Sequence, residues 1–291
     1  MIINFMKKLS VAIIGAGRVG SAFALALKKR KVRIVSVVDK NLIKAKKLAS
    51  SLKSDHFTSE ISNIPEETNL FIIAVQDRFI KKVSSKLSQS FQDLKGKFAF
   101  HTSGALTSEE LSDLKNSGCT VFSLHPNFSF ASEKRENKFI NFDKCVFAIE
   151  SDSKIAKKFA IDFCKMMEWD YLIINKNQKP VYHALAVILS NYTVTQFYQI
   201  EKHLGKKAVN SYLNLLLSTI QNIQNSGVKN ALTGPVIRGD VETVIKNIQS
   251  LKNLNSELKT IYKSFGILTL ELIGDKLDKK TLQKLKQILS K

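Results

Sequence analysis

A glycine loop between an apolar strand and an apolar helix is the feature that most limits what this chain can fold into. The segment LSVAIIGAGRVGSAFALAL carries Gly15, Gly17 and Gly20 in the spacing G-x-G-x-x-G. Gly15 permits a tight turn, Gly17 lets the backbone approach a pyrophosphate, and Gly20 lets helix and strand pack closely. Asp39 ends the next strand, 24 residues after Gly15. This context predicts a dinucleotide-binding βαβ unit whose helix N-terminus receives negative charge.

Strand-like and helix-like segments alternate over the first 175 residues. Apolar runs such as VRIVSVVD, LFIIAV and KCVFAIE alternate with amphipathic helical stretches, the pattern of a parallel sheet. After Asn175 apolar residues recur three and four apart, as in helices. We therefore expect the α/β class, with an N-terminal Rossmann-type parallel sheet over residues 1–175 and an all-helical C-terminal domain over residues 176–291.

The charge and the cysteines limit the classes of partner. A net charge of +20 attracts anions, but the lysines are scattered and no aromatic residues are interleaved with them, so we expect no nucleic acid. No apolar stretch is long enough to span a membrane. The five histidines and three cysteines form no metal-ligand spacing, and the odd number of thiols favours a reducing cytoplasm.

Polar residues follow three of the predicted strands. Gln76 follows LFIIAV, His101 and Ser103 follow KFAF, and His125 follows TVFSL. Because ligands lie beyond the carboxyl ends of parallel strands, these side chains are candidates for contacts with a cofactor or a substrate. The segment HTSG fits an ordinary strand end that runs into a capped helix equally well.

The sequence predicts that the cofactor is NAD or NADP. A carboxylate at position 39 accepts hydrogen bonds from ribose hydroxyls and repels a 2′-phosphate, which slightly favours NAD. Arg18, Lys40 and Lys44 favour NADP. The residues expected to contact the cofactor are Gly15, Ala16, Gly17, Arg18, Val19, Gly20, Asp39, Lys40, Val75, Gln76, His101 and Ser103.

The motifs GAGRVG, IIAVQD, HTSGA, LHP, YHALAVILSNY and LTGPVIRGD occur in this order over nearly the whole chain. Together they resemble a group of Rossmann-like oxidoreductases with a C-terminal helical domain of unknown function. That group is similar to the superfamily of pyrroline-5-carboxylate reductase, ketopantoate reductase and deazaflavin-dependent NADP oxidoreductase. The resemblance implies that the helical domain covers the nicotinamide end of the cofactor, binds substrate and forms a homodimer.

The resemblance also assigns roles in the segment LTGPVIRGD. Thr233 would be the N-cap of the following helix or would face a substrate carboxylate, Arg238 would bind that carboxylate in bidentate fashion, and Asp240 would orient the arginine. The alternative is a capped helix that carries a surface pair of arginine and aspartate.

The segment YHALAVILSNYTVTQFY predicts a helix that forms a pocket wall. At 100° per residue, His183 and Ser190 share a stripe, and Asn191 lies about 80° from His183. Hydride transfer to a carbonyl requires a proton donor, for which His183 is the first candidate, followed by His101 and His125. Asn191 and Ser103 complete the expected catalytic set. The alternative is a histidine satisfied by backbone or solvent.

The sequence therefore predicts an NAD(P)-dependent oxidoreductase, a reductase or dehydrogenase that acts on a C=O or C=N bond of a small carboxylate-bearing molecule. The alternative is a non-catalytic regulatory or scaffold protein that binds NAD(P). An intact glycine loop fits both.

Overall fold

The computed structural model describes residues 9–54, 56–130, 142, 145–273 and 276–290. The chain divides into two compact units, Met1–Val194 and Thr195–Lys291. The first unit contains one sheet of eight strands in the order β3-β2-β1-β4-β5-β6-β7-β8. The strands are β1 (Ser10–Ile14), β2 (Arg33–Val38), β3 (Phe57–Thr58), β4 (Leu70–Ile73), β5 (Phe98–His101), β6 (Thr120–Pro126), β7 (Val146–Glu150) and β8 (Asp170–Ile173).

All pairs in the sheet are parallel except one. Strand β7 runs antiparallel to β6, with Ser123 opposite Glu150 and His125 opposite Ala148. The sheet is therefore mostly parallel rather than wholly parallel, and the predicted fold class is confirmed. Strand β3, a two-residue edge strand, is too short to be recognised from periodicity.

Helices cover both faces of the sheet, which explains why its strands read as continuous apolar runs. One face buries an aromatic cluster in which Phe23 contacts the rings of Phe100, Phe147 and Trp169. The other face buries Phe71 against Phe91. The helices of this unit are α1 (Arg18–Lys29), α2 (Leu42–Leu52), α3 (Ile80–Ser90), α4 (Ser112–Asn116), α5 (Lys154–Met167) and α6 (Gln178–Ala186).

A π turn at Val187–Asn191 follows α6 directly and leads into α7 (Tyr192–Leu204). The remaining helices are α8 (Lys206–Ala231), α9 (Val241–Leu254), α10 (Ser256–Ile273) and α11 (Lys279–Ser290). Helix α8 consists of two helical pieces that meet at Gly227, which has a φ of 75°.

The second unit has a small apolar core of its own. Val244 of α9, Leu270 of α10 and Leu285 of α11 are buried together. No helix among the described residues is both long and apolar enough to cross a membrane.

Candidate functional site

The glycine loop has the geometry that its sequence predicts. Gly15 has a φ of +105°, and a Cβ there would lie 2.4 Å from the carbonyl oxygen of Ala74. A Cβ on Gly20 would lie 1.9 Å from the carbonyl oxygen of Gly15, so the first and third glycines are required by the fold itself. A Cβ on Gly17 would meet no atom within 4 Å. The second glycine therefore faces open space, as close approach of a pyrophosphate requires.

Asp39 supports this loop from the end of β2. The Ala16 amide donates to Asp39 Oδ2 at 2.8 Å, and the Asn41 amide donates to Oδ1 at 2.8 Å. Both carboxylate oxygens thus already accept a backbone N–H group. Of the other loop residues, Arg18 donates to the carbonyl oxygen of Phe130 at 2.7 Å, and Val19 packs against the core.

A cleft of about 410 Å³ opens beside the loop. Its lining includes six of the expected cofactor residues, namely Gly15, Gly17, Asp39, Lys40, Val75 and Gln76. Apolar side chains, among them Ile61 and Val83, form part of its wall. The cleft therefore combines the loop, the end of β2 and the end of β4, where the sequence predicts a dinucleotide.

His101 and Ser103 stabilise the turn after β5. His101 is fully buried, its Nε2 donates to the carbonyl oxygen of Thr107 at 2.9 Å, and its Nδ1 accepts from the Ser103 amide at 3.2 Å. Ser103 Oγ donates to Asp77 Oδ2 at 2.9 Å and accepts from the amides of Ala105 and Leu106. Both ring nitrogens of His101 are thus occupied by backbone groups.

His125, near the carboxyl end of β6, forms a cluster with Tyr182 and His183. His125 Nδ1 lies 2.9 Å from Tyr182 Oη in a hydrogen bond, and the two imidazole rings are 6.2 Å apart between centroids. Gly104 lies between the histidines, because a Cβ there would lie 2.6 Å from His183 Nδ1 and 2.9 Å from His125 Nε2. His183 Nδ1 is buried without a hydrogen-bond partner among the described residues.

A buried charged network lies beneath this cluster. Lys179 is fully buried, and its Nζ donates to Ser123 Oγ at 2.7 Å. Ser123 Oγ donates to Glu150 Oε2 at 3.2 Å, and Glu150 also accepts from the Ser108 amide at 2.7 Å and from the Ser108 hydroxyl at 3.0 Å. The positive charge of Lys179 is therefore balanced by the Glu150 carboxylate, to which the Ser123 hydroxyl connects it.

Burial controls the ionisation of these groups. Burial, with a smaller contribution from the nearby Lys179 charge, lowers the pKa of His125 to about 3 and that of His101 to about 3. Burial raises the pKa of Tyr182 to about 12. Burial also lowers the pKa of Lys179 to about 8, against the opposing charges of Glu150 and Asp77. At neutral pH the imidazoles of His101 and His125 are therefore neutral, and the Tyr182 phenol is protonated.

The π turn changes the expected geometry of the pocket-wall helix. The helical count that places His183 and Ser190 on one stripe assumes 3.6 residues per turn, whereas a π turn bonds residue i to residue i+5. The count is therefore wrong across Val187–Asn191. Ser190 and Asn191 are exposed.

In the second unit, the segment LTGPVIRGD forms a turn that leads into α9. Asp240 is the N-cap of that helix and accepts from the Thr243 amide at 3.0 Å. This hydrogen bond is the main reason why the pKa of Asp240 lies below its usual range. The nearby Arg238 charge lowers the pKa by a smaller amount. The cap is therefore Asp240 rather than Thr233, because the turn from Pro235 to Gly239 separates the threonine from the helix. Thr233 and Arg238 are exposed.

Sequence reasoning missed four residues of the first unit: Gly104, Glu150, Lys179 and Tyr182. Glu150 is a charged residue at the end of an otherwise apolar strand, which is a usable signal. Lys179 is one lysine among many, and only burial distinguishes it. Among the described residues, no group of three or more histidine, cysteine, aspartate or glutamate side chains could hold a metal ion.

Two family models match the chain. A model of a Rossmann-like domain matches residues 4–126, and a model of a domain of unknown function, DUF2520, matches residues 145–269. The chain therefore joins a Rossmann-like domain to a DUF2520 domain, which confirms the resemblance inferred from its motifs. Among curated proteins, none matches this chain.

Solved structures of similar fold cover nearly the whole chain. A protein provisionally named NADP oxidoreductase BF3122, from Bacteroides fragilis, is 20% identical with a TM-score of 0.70, covering 90% of this chain and 97% of that one. Protein TM1727 from Thermotoga maritima is 29% identical with a TM-score of 0.68, covering 90% and 98%. A pyrroline-5-carboxylate reductase from Coxiella burnetii is 13% identical with a TM-score of 0.60, covering 97% and 98%.

Proposed function

We propose that this protein is an NAD(P)-dependent oxidoreductase that transfers a hydride to or from a C=O or C=N bond of a small carboxylate-bearing molecule. One observation carries the proposal. The open glycine loop after β1 and the cluster of His125, Tyr182 and His183 at the carboxyl end of β6 lie at the same edge of the sheet, because β1, β4, β5 and β6 are parallel. A candidate cofactor site and a set of proton-bearing side chains thus lie at the carboxyl ends of strands of the same sheet, where ligands bind in open parallel sheets.

The side chains of the cluster suit the proton transfer that accompanies hydride transfer. Reduction of a carbonyl produces an alkoxide that must be protonated, whereas an imine is reduced with less assistance. Tyr182 stays protonated at neutral pH because burial raises its pKa to about 12. His183 has a buried ring nitrogen that has no hydrogen-bond partner in the part of the chain that the structure describes. We assign His183 and Tyr182 to proton transfer, and His125 to holding the tyrosine hydroxyl.

The cofactor is NAD or NADP, which supplies or accepts the hydride when it is bound. Similarity in fold to proteins named NADP oxidoreductase and pyrroline-5-carboxylate reductase supports this assignment. Gly15, Gly17 and the amides at the start of α1 would hold the pyrophosphate. Val75 and Gln76 would contact the cofactor after β4.

We assign recognition of the substrate carboxylate to Arg238 and Thr233 of the second unit. Arg238 is an exposed guanidinium beside a turn that contains two glycines of positive φ, Gly234 and Gly239. Arg238→Ala should raise KM for a carboxylate-bearing substrate at least about tenfold, because a bidentate pair is lost. The Kd of the cofactor should stay unchanged. A loss of cofactor affinity instead would contradict this assignment.

We also propose that the protein is a homodimer located in the cytoplasm. Seven large apolar side chains of α8 are exposed, at positions 212, 213, 215, 217, 220, 223 and 228. A patch of this size marks an interface. The three cysteines are free and buried, which suits a reducing compartment.

The proposed function is tested by cofactor binding and turnover measured together. We would compare thermal shifts with NADH, NADPH, NAD and NADP, and then assay keto and imino acids with the nucleotides that bind. Gly17→Val is the matched variant, because a Cβ at this position would meet no protein atom within 4 Å and the added side chain therefore begins in open space. It should keep the unfolding temperature of the free protein and lose the shift.

The outcomes separate the two candidate functions. Binding with turnover supports an oxidoreductase, whereas binding without turnover of any substrate would favour a regulatory NAD(P)-binding protein. If none of the four nucleotides raised the unfolding temperature, neither an oxidoreductase nor a regulatory NAD(P)-binding protein would be supported.

A further inference from the structure

Four lysines surround the cleft beside the glycine loop. Lys40 follows β2, Lys44 lies in the first turn of α2, and Lys82 and Lys86 lie on α3. The two α3 lysines are four residues apart and therefore share one face of the helix. Because these lysines come from the two sides of the cleft, they place positive charge around its opening.

The charge of this cleft exceeds what NAD requires. The pyrophosphate common to NAD and NADP is bound by the loop amides and the N-terminus of α1. The adenosine half of NAD carries no further anion, yet the cleft lining has four lysines and a single carboxylate, Asp39. A second anionic group on the ligand, away from the pyrophosphate, accounts for the four lysines.

The rest of the cleft fits an adenosine. Val38, Ile61 and Val83 provide apolar surface, and the ring of Phe79 lines the same space. Two cations flank that ring, with Lys40 Nζ 5.6 Å and the Arg78 guanidinium carbon 4.8 Å from its centroid. An aromatic ring beside cations suits a purine that carries a nearby phosphate.

Asp39 supports the glycine loop as well as lining the cleft. Its two oxygens accept hydrogen bonds from the amides of Ala16 and Asn41, so the carboxylate is part of the support of the loop. Those hydrogen bonds also disperse its negative charge, which reduces its repulsion of a phosphate.

We infer that this cleft binds a phosphorylated adenosine ribose, so that the protein prefers NADP(H) to NAD(H), with Lys40, Lys44, Lys82 and Lys86 as the phosphate-binding residues. The inference rests on the proposed function, since it concerns the cofactor of the same site. It replaces the slight preference for NAD that Asp39 favours when the sequence is considered alone.

The test is the Kd of NADPH and of NADH for the wild-type protein and two double variants. Lys44→Ala/Lys82→Ala removes one lysine from each side of the cleft. Lys46→Ala/Lys81→Ala is the matched control, because it removes two exposed lysines from the same two helices without changing the cleft lining. Both variants lose the same net charge, so a difference between them measures local contacts rather than the overall field of the protein.

We expect the wild-type protein to bind NADPH at least about tenfold more tightly than NADH, as charge-assisted contacts to one phosphate provide. The cleft variant should lose most of that ratio by weakening NADPH binding alone, and the control should keep it. The affinity for NADPH should also fall more steeply with added salt than that for NADH.

Three results would overturn the inference. Equal affinities for NADPH and NADH in the wild-type protein would show that the lysines do not bind a phosphate, and the proposed function would stand. An equal loss in the control and cleft variants would assign the effect to net charge. Failure to bind either nucleotide would overturn the proposed function as well. As a further probe, 2′-AMP should compete with NADPH more strongly than 5′-AMP.

Discussion

Gly104 shows what a missing side chain contributes to the candidate site. Its backbone is outside the left-handed region, so the fold does not require glycine there for conformational reasons. The requirement is one of space, because His125 and His183 both contact the position that a Cβ would occupy. The motif HTSGA therefore contains a glycine that lets two imidazoles from distant parts of the chain approach each other.

Gly104→Ala should displace one or both histidines and lower kcat at least about tenfold, since a positioned proton-transfer group usually contributes about a hundredfold or more. The Kd of the cofactor should change little, since the glycine loop is untouched. His183→Ala should produce a similar loss of kcat, and adding Gly104→Ala to it should cost little more. Steady-state kinetics with cofactor titrations measure both quantities. An unchanged kcat in Gly104→Ala would contradict a catalytic role for the two histidines.

Apart from the two-residue strand β3, the helices and strands of the first unit were predictable from the sequence because their signals are local. Each apolar run such as LFIIAV became a strand of the sheet, since burial on both faces leaves few polar positions. The glycine loop was predictable for the same reason. The π turn after α6 was not, because the residues Val187–Asn191 carry no mark that separates a π turn from an α-helix. The network of Lys179, Ser123 and Glu150 was not predictable either, since its members come from three elements and meet only in the fold.

Helix α8 exposes an apolar surface that an isolated subunit would leave in water. Leu217 and Ile220, three residues apart, are 55% and 43% exposed. Leu217→Glu/Ile220→Glu should convert the proposed dimer to a monomer, because two charges would be buried in the interface. Light scattering measures the molar mass. Asn222→Glu/Asn225→Glu adds the same charges at polar positions of this helix with the same spacing and should leave the mass unchanged. A monomeric wild-type protein would contradict the dimer.

The stability of the whole protein should depend on pH through its buried histidines. The folded pKa values of His101 and His125 are about 3, against 6.5 for an ordinary histidine. Between pH 3 and 6.5 the unfolded chain therefore binds more protons than the folded one. The free energy of unfolding should fall as the pH is lowered through this window, by up to about 1.4 kcal/mol per pH unit for each histidine.

Urea denaturation at a series of pH values between 4.5 and 7 measures this dependence. His125→Asn removes one of the two groups and should reduce the slope by nearly one proton, whatever its effect on stability at neutral pH. An identical slope in the variant would show that His125 does not carry its low pKa in the folded protein.

The buried network also restricts which sequences can carry this fold. Loss of Lys179 alone would leave the Glu150 carboxylate without its counter-charge in the interior, and loss of Glu150 alone would strand the ammonium group, each a change that costs several kcal/mol. Loss of both is far less damaging, since apolar side chains can fill the same space. A sequence that loses the charged pair one residue at a time therefore passes through a destabilised single substitution. Across related sequences, the positions of Lys179 and Glu150 should accordingly be either both charged or both uncharged.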